Sequence, residues 1–332
     1  MANNKFIHLL LACTLFAACD DNDAPVDESK AYPAVIMAEA FDYGSETGTT
    51  WFKGETIGVY MLESGTDDIV APYSNLRYYA NQFDNQDYFL PGNNDSIPYF
   101  PATGETMDIA AYYPRATVLA DSLVAIHLIE NYDYASQLLF ARVSDLSKDS
   151  RKAELLLRPV LARLTFKFKV GYGMTEADLK GMSVTLQGLP VSGNFNATTG
   201  KIRFRDVTAG QDIRLVTTEN SKKKAAMRTV TRAGSDKEED DDAFITAQGM
   251  VLPASTTEGY KVIIELPAAE GGSGKKYEYD IPESTDNFEN STEYIFNSKI
   301  NDKNLSVVVN KSPITNWEPG GIINGNGEEK TK

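Results

Sequence analysis

An all-β chain folded as two tandem β-sandwiches is the class this sequence predicts, on three observations. Where apolar and polar residues alternate along the chain, the dominant period is two, the signature of half-buried strands. Prolines and glycines stand between those runs, at or beyond their ends: Pro91 with Gly92, Pro98, Pro101, Pro114, Pro159, Pro190, Pro253 and Pro267. A missing backbone N–H does least harm there. Convincing helical periodicity is scarce, with EADLKGM (176 to 182) offering one short turn and DYASQLLFARV (133 to 143) ambiguous. Many short strands with little helix read as sandwich, and the length suits two cores better than one.

Taken in order, the chain opens with Lys5, an apolar run from Phe6 to Ala18 and small residues, the layout of a secretory signal peptide over residues 1–18. Thirteen helical residues would cover about 20 Å, too little for a bilayer core of about 30 Å. Ala17 and Ala18 before Cys19 resemble the lipobox of bacterial lipoproteins, in which that cysteine becomes the acylated N-terminus. Cys13 has a similar frame, but cutting there would leave a short apolar core and a mature end still carrying Leu15 and Phe16, so Cys19 is favoured. One acyl chain holds a membrane only weakly, so lasting attachment takes two or more. Residues 19–31 then read as an acidic tether, and Asp20, Asp21 and Asp23 resemble the surface-export tag of Bacteroidetes lipoproteins.

A first sandwich is expected over 32–158, with strands at PAVIMAEAF (33 to 41), TIGVYML (56 to 62), MDIAAYYP (107 to 114) and SLVAIHL (122 to 128). In the opening strand Val35, Met37 and Phe41 face one way and Ile36, Ala38 and Ala40 the other. A second sandwich over 159–318 starts afresh at RLTFKFKV, where Leu164, Phe166, Phe168 and Val170 oppose Arg163, Thr165, Lys167 and Lys169. It continues through MSVTLQGLP (182 to 190), a hairpin turned at Thr198 to Gly200, YKVIIELP (260 to 267), YEYDIP (277 to 282) and LSVVVN (305 to 310). Within it, residues 219–243 set a basic block (Lys222 to Lys224, Arg228, Arg232) against an acidic one (Asp236 to Asp242), a self-neutralising loop. The polar tail 319–332 is expected to fray.

The chemistry is mostly excluded. Lys and Arg number 32 against 47 Asp and Glu, a net charge of −15, and −16 once the signal takes Lys5 away. Such a surface repels nucleic acid and anionic membrane. His8 and His127 are the only histidines, too few for a zinc cluster, and Cys19 would have no cysteine partner once Cys13 left with the signal. No nucleophile elbow accompanies His127, and GYGM at 171 to 174 lacks the third glycine of a phosphate loop. The run Glu238, Glu239, Asp240, Asp241 does not reproduce a turn-shaped calcium cage. No enzyme activity, metal or cofactor is expected.

TTWFKGETIGVYML, IPYFPATGETMDIAAYYP, LLLRPVLARLTFKFKV, YIFNSKIN and a closing ITNW follow one another along the chain. This succession resembles the fimbrillin-like family of Bacteroidetes, lipoprotein precursors of type V pili. Trp51, Gly54, Ile57, Gly58, Val59 and Tyr60 match one of its motifs; Ile97, Tyr99, Pro101, Ala111, Tyr112, Tyr113 and Pro114 match another. The resemblance implies two transthyretin-like β-sandwich domains and an outer-membrane lipoprotein that joins other fimbrial subunits by β-strand addition. It also implies a removable first strand, here Val35, Ile36, Met37 and Phe41 with their neighbours, whose loss exposes a groove for a neighbour's strand. Two departures point to an anchor, tip or accessory subunit instead of a repeating shaft. No arginine stands between Cys19 and Arg77, leaving Lys53 and Lys30 as the basic processing candidates; a cut at Lys53 would also remove Trp51, and Lys53 reads more readily as an exposed loop residue. EPGGIINGNGEEKTK also lacks the alternating apolar residues of a donor strand. The competing reading is a glycan-binding surface lipoprotein that does not polymerise, stacking sugars on Tyr78 and Tyr79 from a cluster that includes Tyr88, Phe89, Tyr99 and Phe100.

Overall fold

The computed structural model describes residues 32–40, 51–83, 86–118, 120–129, 137–204, 212–219, 245–254, 258–268, 274–281, 287–313 and 322–329. Cys19, Asp20, Asp21, Asp23, Lys30, Phe41, nearly all of the charged loop and the ITNW segment lie outside them.

The strands are β1 (Val35–Ala40), β2 (Thr56–Glu63), β3 (Leu76–Phe83), β4 (Gln86–Pro91), β5 (Met107–Tyr113), β6 (Leu123–His127), β7 (Leu139–Leu146), β8 (Lys152–Pro159), β9 (Ala162–Val170), β10 (Ser183–Gln187), β11 (Ser192–Asn196) and β12 (Ile202–Phe204). They continue as β13 (Ile213–Arg214), β14 (Val216–Glu219), β15 (Ile245–Val251), β16 (Lys261–Leu266), β17 (Lys275–Asp280), β18 (Thr292–Ile300), β19 (Asn304–Pro313) and β20 (Ile322–Glu329). One helical turn, α1 (Glu176–Leu179), follows β9. The chain is thus almost all β. The ambiguous segment 133 to 143 contributes its second half to strand β7.

Seven strands close into a barrel in the order β1-β4-β3-β2-β5-β7-β8. Ten more form a sheet in the order β13-β10-β16-β17-β20-β19-β18-β9-β15-β14, and β12-β11-β6 make a third. β13 and β14 are consecutive across Leu215, so one segment serves both ends of the ten-stranded sheet. β6 leaves the barrel's stretch of sequence to pair antiparallel with β11, His127 opposite Ser192.

Burial explains why β2 and β5 read as nearly unbroken apolar runs. Ile57, Val59, Met61, Ile109 and Ala111 fill the barrel, whereas Tyr60, Leu62, Ala110 and Tyr112 point outward into a second core shared with β9, β10, β11 and β18. Both faces of these strands are covered, so nothing polar is required on either. Tyr112 and Phe140 each meet Phe195 of β11, with ring centroids 5.9 Å apart in both pairs. In β9 the alternation holds except at Thr165, which is buried like the apolar face, and Val170, which is half-buried: Leu164, Phe166 and Phe168 are buried while Arg163, Lys167 and Lys169 are half-buried. Phe166 stacks on Phe296 of the parallel neighbour β18 at 4.3 Å.

Gly58 shows the tolerance of this packing. A Cβ there would stand 2.3 Å from the Tyr112 ring and 2.5 Å from Asn75 Oδ1. Those two groups are fixed to each other, since the Tyr112 hydroxyl donates to Asn75 Oδ1 at 3.0 Å. Gly58→Ala is therefore expected to cost about 1–3 kcal/mol through overpacking, measurable as a lower urea midpoint at unchanged slope.

The C-terminal segment departs from expectation. In place of fraying, 322–329 pairs with β19 over seven positions and with β17 at two, joining the two halves of the large sheet. Its glycines and asparagines are poor strand formers, but two neighbouring backbones supply the hydrogen-bonding partners.

Candidate functional site: the slot of the first strand

β1 is the barrel's closing element. It lies parallel to β8 over six positions, Val35↔Lys152 to Ala40↔Leu157, and antiparallel to β4 at Ile36↔Phe89 and Met37↔Tyr88. Of its two faces, the one turned inward carries Ile36, Ala38 and Ala40, exposed by 3% or less; Val35 is 40% exposed and Met37 half-buried. The strand thus inserts one large apolar side chain and two small ones. Its own side-chain burial is worth correspondingly little, since a large aliphatic residue contributes about 1.5–3 kcal/mol and a methyl-sized group about 0.8 kcal/mol.

Other elements hold its two ends. At the start, Ala34 N–H donates to the Pro98 carbonyl at 2.9 Å and Val35 N–H to that of Arg151 at 2.9 Å, while Phe100 N–H donates to the Tyr32 carbonyl at 2.9 Å. Residues 97–101, noted in the sequence as I-P-Y-F-P, therefore form the clamp at this end. At the far end Trp51, 4% exposed, donates its indole Nε1–H to the Ala38 carbonyl at 2.7 Å. Its ring meets Phe89 edge-on at 5.2 Å and Tyr113 at 5.0 Å.

The turn after Trp51 is shaped by Glu55. One carboxylate oxygen accepts from Phe52 N–H at 2.7 Å and the other from the Tyr113 hydroxyl at 2.7 Å. Burial, and then the hydrogen bond to and charge of Glu55, push the Tyr113 hydroxyl well above the ordinary tyrosine range. Gly54 takes φ +93°, which suits glycine. This leaves Phe52, Lys53 and Gly54 exposed, with Phe52 78% accessible. Lys53 thus occupies an outward turn between the Trp51 latch and β2.

The aromatic cluster corrects the sugar-stacking reading. The segment from 76 to 91 is the β3–β4 hairpin. Tyr78 is 2% exposed, Phe89 3% and Phe100 0%, all three inside the barrel core, so Tyr78 offers no face to a glycan. Tyr79 and Tyr88 are half-buried on the other side of the hairpin.

A buried ionic site escaped the sequence reading. Asp108 on β5, 0% exposed, accepts from Arg142 Nε at 3.1 Å and a second guanidinium nitrogen at 2.8 Å, from Ser144 Oγ at 3.1 Å, from Ser64 Oγ at 3.2 Å, and from Asp145 N–H at 3.1 Å and Gly65 N–H at 3.3 Å. Arg142 extends to Asp67 at 2.8 Å and to the Thr66 carbonyl. Burial alone would raise the Asp108 carboxyl, but the Arg142 hydrogen bond and the donors around it outweigh that and hold it below the usual carboxylate range. The site ties the β2–β3 connection to β5 and β7 where their register shifts, between Met107 and Ile109.

The fold is that of two solved structures of cell adhesion proteins. One, from Bacteroides uniformis, superposes with a TM-score of 0.62 at 21% identity, over 85% of this chain and 99% of that one. Another, from Bacteroides ovatus, gives 0.56 at 19% identity, over 89% and 98%. The fimbrillin-like family model matches residues 45–317, and the chain belongs to that family. A relative that carries the name fimbrium subunit Fim1C, also from Bacteroides uniformis, is 25% identical over 342 residues, covering 99% of this chain and 98% of its own length.

Proposed function

We propose that the protein is the lipid-anchored precursor of a fimbrial subunit, of anchor, tip or accessory type, which joins other subunits by exchanging β1 for a strand of a neighbour and so contributes to adhesion. Family membership and the fimbrium-subunit relative support the fimbrial role. The single observation that carries the exchange is the position of β1, the first strand of the barrel and the one through which it closes, seated between β4 and β8 and followed by an exposed lysine turn. Removing it would leave two unpaired strand edges facing an apolar groove, a template that recruits a replacement. In this reading Cys19 carries the acyl anchor to the outer membrane, Asp20, Asp21 and Asp23 direct it to the cell surface, and Lys53 is favoured over Lys30 for processing because only a cut beyond residue 40 frees the strand.

Limited digestion of the full precursor with a trypsin-like protease tests the exchange. The expected result is a cut after Lys53 followed by SDS-resistant ladders. A trimmed product that stays strictly monomeric would refute it. For the anchor, Cys19→Ala is expected to move the protein from the membrane fraction to the soluble one, and unchanged retention would show that another residue carries the lipid.

A further inference from the structure

The end of the ten-stranded sheet at which β9 and β16 finish carries a cleft of about 270 Å³. Its walls include Ser183 of β10, Arg214 of β13, Glu265 of β16 with Pro267 just past it, and Lys275 and Lys276 of β17. Register fixes how these groups face. Glu265 stands opposite Ser183 on one side and Lys276 on the other, while Arg214 stands opposite Thr185. Ser183 and Thr185 share a face of β10, so Arg214 and Glu265 flank that strand on one face, two strand spacings or about 10 Å apart. The lysines are engaged: Lys275 Nζ donates to the Asp302 carbonyl at 2.9 Å and pairs with its carboxylate, and Lys276 lies 3.4 Å from Glu278. Arg214 and Glu265 are exposed, and among the described residues neither side chain has an ionic or hydrogen-bonded partner.

The loop after β9 reaches the same end. Its GYGM segment carries Tyr172, 90% exposed. Both backbone groups of this residue are fixed: its N–H donates to Asn301 Oδ1 at 2.9 Å, and its carbonyl accepts from Asp302 N–H at 3.0 Å. Asp302 is also the residue that holds Lys275, so the ring is presented from a fixed backbone beside the cleft wall. A tyrosine held in this way offers a broad contact face at little cost in ordering.

We propose that this cleft is a carbohydrate site for a carboxylated sugar ring, with its carboxylate on the Arg214 guanidinium, its hydroxyls on Glu265 and Ser183, and the next ring of the glycan against Tyr172. The volume is just under the range of ligand pockets, about 300–1,000 Å³, which suits one sugar ring and no protein segment. A guanidinium presents a planar fork of donors that a carboxylate fits. Sugar hydroxyls both donate and accept, so an acceptor carboxylate and a serine hydroxyl on the facing side serve them together. On a chain of net charge −15 a carboxylated ligand is repelled by the surface at large, so retention here depends on the placing of Arg214 and not on bulk attraction. The site does not involve β1, and its occupation is independent of whether that strand is exchanged.

The experiment titrates the full chain with methyl glucuronide and with the methyl glycoside of sialic acid, against methyl glucoside as the neutral counterpart, read by ligand-observed NMR and calorimetry. A carboxylated sugar is expected to bind about tenfold or more tighter than the glucoside, the worth of one charge-assisted contact. Arg214→Gln is expected to bring it down to the level of the glucoside, whereas Arg77→Gln, an equally exposed change on the barrel, leaves it as in the parent. Unchanged thermal midpoints in both variants show that the fold is retained. A disaccharide ending in glucuronate is expected to bind more tightly than the single ring, and Tyr172→Ala to abolish that gain alone. Absence of binding by both carboxylated sugars, or equal binding of the glucoside, overturns the site. Equal losses in Arg214→Gln and Arg77→Gln overturn the assignment to this cleft. Binding of glycylglycine in place of the sugars assigns the cleft to peptide ends and overturns the carbohydrate reading. A disaccharide no tighter than the single ring overturns the part given to Tyr172.

Discussion

Asp108→Ala is expected to cost about 3 kcal/mol, the lower part of the 3–5 kcal/mol range for breaking a buried ion pair. The lower part applies because Arg142 keeps Asp67 and the Thr66 carbonyl after the loss. What is lost is the rest of the shell: Ser144 and the backbone N–H groups of Gly65 and Asp145 point at the missing carboxylate, while Ser64 keeps its bond to Asp145 Oδ1 at 2.9 Å. Equilibrium urea unfolding of the parent and variant would measure the difference. The same carboxylate sets a pH dependence whose sign follows from its depressed pKa. A group lowered in the folded state gives stability that is fully present above its unfolded value, near 3.9, and is lost as pH falls through the folded one. The gap between parent and Asp108→Asn should therefore be constant above about pH 5 and close steadily below about pH 4. A gap that widens on acidification would show that the carboxylate is not held by its donors.

These outcomes bear on what the sequence made legible. Strands such as 56 to 62, 107 to 114 and 162 to 170 were readable because burial imposes either a period of two or an unbroken apolar run, and both are local signals. The β3–β4 hairpin was not, since the alternation of buried Leu76, Tyr78 and Ala80 runs straight into the polar sequence of Asn81, Gln82, Gln86 and Asp87. β20 was illegible for a different reason: its strand state comes from the edges of β17 and β19 and not from its own residues. In β1 the segment itself was evident; apart from Glu39 both of its faces are apolar, and the barrel turns Ile36, Ala38 and Ala40 inward. The Asp108 site joins residues 34 and 44 positions apart, a distance that no local pattern encodes.

The second large effect is expected at Trp51, where the motif tryptophan has a mechanical role. Trp51→Ala removes a 4%-exposed indole with two edge-on ring contacts, and truncations of this kind cost about 3–5 kcal/mol, against a total of about 5–15 kcal/mol for a domain. Packing and hydrogen bonding can be separated. Trp51→Phe keeps an aromatic ring in the cavity but leaves the Ala38 carbonyl without its 2.7 Å donor, and an unsatisfied buried acceptor costs about 1–3 kcal/mol. The location of the damage is as telling as its size. β1 meets β4 at only two register positions and inserts a single large side chain, so a weakened latch should loosen this strand before the rest of the barrel opens. Hydrogen exchange of the amides at 35–40 is expected to accelerate in both variants while those of β2 and β5 keep their protection. Uniform acceleration across the barrel would instead mean that β1 is integral to the scaffold and cannot leave alone, and a strand that cannot leave alone cannot be exchanged.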